Sequence, residues 1–382
     1  MKKIIFLSSC IKLTGRGKVQ VEYANYLIQQ GYSTEFAIVD DYGDENVLEK
    51  NIPRPIQYLN SYEYRLEQQR IRNERNKNII KKIKFNLSLH QNYKHVVAQF
   101  NEIYSRIKPD IIIDFDTSLR GNINEYDCKS IAWIHMHIGN WLKSESALKR
   151  YAKALNRYDK IVCVSDEVKK ELDTVDKKLA AKTISIYNPF NFNNIQQLAN
   201  EEFDENEQQF ANEKFLLMVS RLDLTCKDYA TLFKAFDIAK ENGYDGQLYV
   251  VGDGDHRNEI LEMRSQMKHK ENIQLLGAKT NPYKWMKRCD KFILSSTFEG
   301  FGNVLVEALA VNDTVISSDC KAGPDEILES GKIGYLFKVG DFQKLADLMI
   351  GAQPISRPMI DASIKRFSSE VIMQQFKNLI NE

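Results

Sequence analysis

Short apolar runs alternate with helical patterns along most of the 382-residue chain. In the first half the runs are Ile4–Ser8, Glu35–Val39, Ile111–Phe115, Ile131–His135, Ile161–Val164 and Ile184–Tyr187. In the second half they are Phe215–Val219, Leu248–Val251, Ile273–Leu276, Phe292–Leu294 and Val315–Ser317. They are continuous rather than alternating and rich in Ile and Val, as suits parallel strands covered on both faces. Helical stretches between them imply βαβ units. Eleven strands exceed one ordinary doubly wound sheet, so two sheets are expected. The break falls at Asn188-Pro189-Phe190, where Pro cannot continue a ladder, and the polar stretch Asn200–Glu213 follows. The expected division is 1–187, 188–366 and a closing amphipathic helix over 367–382, with Val371, Ile372, Phe376 and Ile380 near one face.

One segment departs from this rhythm. Tyr62–Arg106 shows no strand and few breakers, which predicts one or two helices inserted in the first half. Within it, Arg65–Lys94 carries nine Lys or Arg against Glu67 and Glu74. Two readings are open: a solvated helix face, or a surface that meets anionic lipid or glycan.

Composition narrows the classes. Hydrophobic residues make up 43%, enough for two cores. With 53 basic and 52 acidic residues the net charge is +1, which argues against a nucleic-acid binder. No stretch approaches the ~20 apolar residues of a membrane span. The run Ile4–Leu7 is too short for a secretory core and reads as the first buried strand. The six cysteines (10, 128, 163, 226, 289, 320) form no CxxC pair, which argues against zinc and fits a reducing cytoplasm.

Candidate chemistry gathers after strand ends, where parallel sheets bind ligands. Ser220-Arg221-Leu222, with Lys227 six residues after Arg221, offers two cations to a diphosphate. Gly252-Asp253-Gly254 follows another strand and permits close backbone approach. The most informative element is Glu299-Gly-Phe-Gly-Asn-Val-Leu-Val-Glu307: a strand ends, a glycine loop follows, and a helix opens near Asn303 with free N–H groups that favour an anion. Glu299 can accept hydrogen bonds from sugar hydroxyls. Glu307 lies among apolar neighbours and needs a partner. In the first half, Leu13-Thr14-Gly15-Arg16-Gly17 has the position of a phosphate-cradling loop without full GxGxxG spacing. His135 and His137 alternate in Ile-His-Met-His, so in an extended chain they point the same way.

Together these residues resemble the retaining GT-B glycosyltransferases of the family-4 type, which build bacterial lipopolysaccharide, capsule and related glycans. The similarity runs over almost the whole chain and is most specific at Glu299–Glu307, which matches the family's E-x7-E element. Asn188-Pro189, Ser318-Asp319-Cys320, Gly323-Pro324 and Glu326-Ile327-Leu328 agree in order. The resemblance implies two facing Rossmann-like domains with the closing helix returning to the first. It implies that Arg221 and Lys227 bind the donor diphosphate and that Glu299 holds sugar hydroxyls. It further implies that the backbone of Phe301, Gly302, Asn303 and Val304 meets sugar and phosphates, that Glu307 binds the ribose, and that Gly277 and Lys279 lie in a base-binding loop. Gly15 would approach the phosphates. His135 would approach the reacting sugar, with His137 as companion. Where the family often has Gly-Gly in the first loop, this chain has Thr14-Gly15.

The function so implied is transfer of a sugar from a nucleotide-sugar, with UDP the commonest base, to a glycan or lipid-linked acceptor, with retention and without a metal or other cofactor. The expected location is the cytoplasm, with possible attachment to the inner face of the membrane through 65–94. Two alternatives from other classes stand beside it. One is a nicotinamide-dependent Rossmann oxidoreductase or epimerase, kept open by Asp40 at the end of the second strand. The other is a catalytically inactive GT-B binding subunit.

Overall fold

A computed structural model describes residues 2–140, 142 and 144–382. The chain divides into two compact units: 1–164 with 169–186 and 375–382, and 187–374 with 165–168. Among the described residues the first unit has a seven-stranded sheet. Its strands are β1 (Lys3–Ser8), β2 (Ser33–Asp40), β3 (Ile56–Asn60), β4 (Ile111–Asp114), β5 (Lys129–Ile134), β6 (Lys160–Cys163) and β7 (Thr183–Ser185). They lie in the order β3-β2-β1-β4-β5-β6-β7, all parallel. The second unit has six: β8 (Phe215–Val219), β9 (Gln247–Val251), β10 (Ile273–Gly277), β11 (Lys291–Leu294), β12 (Val315–Asp319) and β13 (Tyr335–Lys338). Their order is β10-β9-β8-β11-β12-β13, again all parallel. This is the GT-B fold, two Rossmann-like domains.

The eleven expected strands are all present, with ends shifted by a residue or two. Two more, β3 and β13, were not expected, and both lie at sheet edges. The first three residues of β3 are only half-buried, and β13 ends on exposed Lys338, so neither carries the continuous apolar run of a central strand. The first helix starts inside the glycine loop, at Gly15, and runs to Gln29. Thr14 caps it, its hydroxyl accepting from the Gly17 amide at 3.0 Å. The inserted segment forms two helices, Tyr62–Glu74 and Ile79–Ile107.

In each sheet the strand order reverses once, between β1 and β4 in the first unit and between β8 and β11 in the second. Helices on either side of that point leave in opposite directions, so the carboxyl ends of these strands border a crevice. Sequence placed most of its candidate chemistry in the loops that open there.

The core of the first unit is aromatic at its centre. Tyr23 meets Trp133 at 4.9 Å and Phe376 at 4.8 Å, and Phe115 packs on Phe6 at 5.1 Å. Phe376 comes from the closing helix, which spans Ser369–Asn381, and is fully buried. The side chains of Lys2 and Lys129 donate to the carbonyls of Ile380 and Leu379, both at 2.6 Å, at the helix end where carbonyls lack intrahelical donors. The helix thus belongs to the first unit through its last turns. Replacing Phe376 by Ala should destabilise that unit by about 3–5 kcal/mol, the cost of an aromatic cavity that cannot fully collapse. Urea unfolding with two resolvable transitions checks this: only the transition of the first unit should move, and an unmoved curve would place Phe376 outside the core.

Candidate functional site

In the second unit three consecutive sheet neighbours, β8, β11 and β12, send their carboxyl-terminal loops to one place. The loops are stitched by backbone. Lys227 and Ser296 form an isolated antiparallel bridge, and Thr297 donates its amide to the Cys226 carbonyl at 2.8 Å. Phe298 bridges Lys321, and the Glu299 amide donates to the Lys321 carbonyl at 3.1 Å. The Ser318 hydroxyl is shared by the Ser296 amide at 2.9 Å and the Ser296 carbonyl at 2.8 Å. These contacts fix Glu299 against Lys227. The ammonium of Lys227 is paired with Oε1 of Glu299, and Ser296 Oγ donates to the same oxygen at 2.7 Å. Lys227 also donates to Ser296 Oγ at 3.3 Å. Both charged side chains are nearly buried, at 11% and 13% exposure. Burial alone would lower the Lys227 pKa; the Glu299 carboxylate outweighs it and raises it, so the ammonium stays charged.

Arg221 stands differently. Its side chain is two-thirds exposed and pairs with Asp223. Asp223 is held by Thr225, whose amide donates to it at 2.9 Å and whose hydroxyl donates at 2.6 Å. Arg221 is therefore a tethered surface cation close to the loop that carries Lys227. Gly252 has φ +145°, and a Cβ there would lie 1.8 Å from the Ser220 carbonyl oxygen. It lets the β9 loop pack on the β8 loop, with Ser220 donating to the Val251 carbonyl at 3.0 Å and Leu222 to that of Asp253 at 3.0 Å. The geometry thus gives this glycine a structural task that spacing alone did not reveal.

The helix Asn303–Leu309 opens after Gly302, as expected, and Phe301 is buried behind it. Val304 is half-buried, and the Asn303 side chain accepts from Asn188 Nδ2 at 2.7 Å. Glu307 is half-buried and has the partner its apolar neighbours demand, the hydroxyl of Tyr283 at 3.3 Å. Lys279, just past Gly277 at the end of β10, turns its side chain to Glu207 at 3.4 Å, which Lys284 shares at 2.6 Å. That side chain is engaged, which leaves the backbone of this loop for other contacts.

The first unit has its own constellation at the reversal between β1 and β4. Asp116, just past β4, accepts from the Ser9 amide at 2.6 Å and the Ser8 hydroxyl at 2.8 Å, and pairs with Arg16. Arg16 also reaches Ser9 Oγ at 3.1 Å. His135, at the end of β5, packs on the Phe115 ring at 4.4 Å, and its Nε2 lies 2.7 Å from the Phe115 carbonyl oxygen. Burial lowers the His135 pKa more than the nearby Asp116 raises it, and Arg16 adds to the lowering. His137 does not share this environment. Its Nδ1 lies 2.8 Å from Glu171, which also accepts from the amides of Ile138 and Gly139 at 2.6 and 2.7 Å. The chain leaves strand geometry after Ile134, so the alternation that put both histidines on one side does not hold. Gly15 is exposed at the first turn of its helix. The glycine that packing requires is Gly17, where a Cβ would lie 2.2 Å from the Lys12 carbonyl oxygen.

Sequence reasoning missed Asp116, Ser296 and Tyr283. Asp116 and Ser296 each follow an apolar strand at a carboxyl edge, which was the available signal; Tyr283 offered none. Asp40, on which the oxidoreductase alternative rested, accepts from Asn60 Nδ2 at 2.7 Å.

Comparison with known proteins agrees with this architecture. Residues 199–352 match the family model described as glycosyl transferases group 1. A 4-alpha-N-acetylgalactosaminyltransferase of Campylobacter jejuni, named for a diphospho-undecaprenol-linked saccharide, is 36% identical over 154 residues, 40% of this chain and 40% of that protein. At such identity the chain therefore spans well under half of the relative's length. The lipopolysaccharide 1,6-galactosyltransferase of Salmonella typhimurium is 26% identical over 77% of this chain and 80% of its own. Among solved structures, Anabaena HepE, in complex with UDP and glucose, superposes over the full length of both chains with a TM-score of 0.74 at 19% identity, a likeness of fold. Residues 199–352 of the second unit are thus similar to the group 1 glycosyl transferases, and the chain as a whole shares the GT-B fold.

Proposed function

We propose that the protein transfers a sugar from a UDP-sugar to a glycan or lipid-linked acceptor in cell-surface polysaccharide synthesis, with retention at the anomeric carbon. The observation that carries this reading is the Lys227–Glu299 pair, nearly buried and stitched into the carboxyl edge at the β8/β11 reversal. The relatives' names support the substrate class: one acts on an undecaprenol-diphosphate-linked acceptor, another on lipopolysaccharide, and HepE was crystallised with UDP and glucose.

The chemistry follows from charge. As the bond between the anomeric carbon and the diphosphate oxygen breaks, its electron pair leaves with the diphosphate. In this reading Lys227 and Arg221 meet that growing negative charge, and the reaction is written without a resident metal or other cofactor. Glu299 then has two tasks. It offsets the lowering that burial imposes on the Lys227 pKa, and its remaining oxygen accepts from hydroxyls of the donor sugar. Glu307, held by Tyr283, receives the ribose hydroxyls. The acceptor hydroxyl forms the new bond to the anomeric carbon on the face the leaving group departs, and its proton passes to an oxygen of the leaving phosphate. No protein nucleophile is required. In the first unit the Phe115 carbonyl can only accept, so the neutral His135 ring donates from Nε2 and leaves Nδ1 as an acceptor. Asp116, through Arg16, Ser8 and Ser9, orders the loop that carries Gly15.

A panel of nucleotide-sugars, read by released nucleoside diphosphate, tests the whole reading; no turnover of any donor with or without acceptor would favour the inactive binding subunit. With the accepted donor, Lys227→Ala or Arg221→Ala should lower turnover ~100–1000-fold, as loss of one preorganised contact to leaving charge does. Near-normal turnover in both would remove them from the reaction. Glu299→Gln should weaken use of the intact donor more than binding of free UDP, measured side by side by calorimetry. Equal losses for the two ligands would contradict the sugar contact. Because burial depresses its pKa, His135 should remain neutral well below the ordinary histidine range. Its ring resonances in an NMR pH titration should therefore be flat from pH 7.5 to about 5.5 while an exposed imidazole titrates near ~6.5; a midpoint near the ordinary value would refute the buried neutral ring.

A further inference from the structure

The helix Ile79–Ile107 is longer than the sheet it crosses. It contains 29 residues, about 43 Å at 1.5 Å per residue, against about 17 Å for a five-residue strand. The helix Tyr62–Glu74 leaves the carboxyl end of β3, and the longer helix returns from it to the amino end of β4, where the Ile107 carbonyl accepts from Lys3 Nζ at 3.3 Å. Its level is fixed by a contact: Asn60, the last residue of β3, donates from Nδ2 to Asn92 at 3.1 Å. The turns before Asn92 therefore project past the carboxyl edge by about 18 Å. This is the edge at which the Gly15 and His135 loops open.

The projecting part has two faces. One packs inward: Ser88 is buried, Phe85 lies under Arg75 at 5.5 Å, and Lys81 pairs with Glu74 at 2.7 Å. The opposite face carries Ile79, Ile83 and Leu87 at successive four-residue steps, with Ile80 beside them, and all four are more than half exposed. Lys82, Lys84 and Lys94 flank that stripe and are exposed. From Ile79 to Asn101 the helix contains no Asp or Glu. A stripe of large aliphatic side chains left in water is unusual for a monomer. Flanked by lysines alone, it has the composition of a helix that lies in the interface of an anionic bilayer, aliphatic side chains among acyl groups and ammonium groups at the phosphates.

We infer that the exposed face of residues 79–94 docks the first unit onto an anionic membrane surface, with the carboxyl edge of its sheet turned towards the lipid. This goes beyond the proposed transfer reaction and does not depend on it. The charges divide more finely than sequence alone could show. Lys77 and Lys81 are taken up by Glu74, at 3.1 and 2.7 Å, so the docking charge belongs to Lys82, Lys84 and Lys94.

Sedimentation of the full chain with vesicles tests the surface. At low salt the protein should pellet with equal-part phosphatidylglycerol and phosphatidylcholine vesicles, remain in solution with pure phosphatidylcholine, and dissociate as salt is raised. Lys82→Ala with Lys84→Ala should weaken partitioning about 30-fold, at roughly fivefold per basic residue. Ile83→Glu with Leu87→Glu should abolish it, and because these positions are exposed neither pair should lower the melting temperature. Lys77→Ala should leave binding unchanged. Wild-type protein that ignores anionic vesicles at low salt, or double variants that pellet as the wild type does, would overturn the inference. So would self-association in solution that the Ile83 and Leu87 changes remove without any lipid binding, since the stripe would then be an interface between copies of this chain.

Discussion

The thirteen strands found among the described residues all run parallel within their sheets, and the rest of the molecule follows from that. A parallel pair cannot be joined by a hairpin, so every connection must cross a face and return, usually as a helix. Both faces are thereby covered, which is why the central strands are almost wholly apolar. Every loop that leaves a strand also opens at the same edge. Polar and charged residues excluded from the sheets accumulate there, beside backbone amides that have no ladder partner. The site is what the connections leave at the reversal of strand order.

Within that edge the β8, β11 and β12 loops are coupled more tightly than loops need be. The Lys227–Ser296 and Phe298–Lys321 bridges extend strand-like pairing beyond the sheet. The pair of Lys227 and Glu299 is costly to bury, and either partner alone would be worse placed than both. The stitched backbone explains how such a pair persists: the geometry is set before any ligand arrives. Arg221, exposed and tethered to Asp223, has the opposite character and can reorient at little cost.

What the sequence disclosed follows burial. The central strands were legible because both faces are covered and the apolar run is unbroken. Of the four edge strands, β7 and β10 were legible too, whereas in β3 and β13 the polar Gln57, Asn60 and Lys338 interrupt an already short apolar run. At the site, Glu299, Glu307, Arg221 and Lys227 could be singled out by spacing around strand ends. Asp116 also follows an apolar strand, but that signal alone did not single it out, because the partners that give it its role, Ser8, Ser9 and Arg16, lie about a hundred residues away in the chain. The two histidines show the reverse error. Alternation in sequence implied a common direction, but the strand stops at Ile134, and Phe115 and Glu171 separate them.

The burial of Phe376 against Tyr23 and Trp133 has a bearing on biogenesis. Residues 375–382 belong to the first unit, yet a ribosome reaches them only after the whole of 187–374. During synthesis the nascent first unit therefore waits with an aromatic hollow uncovered, for on the order of ten seconds or more at 5–20 residues per second. Its sheet can form in that time, but its final closure must follow translation of the second unit.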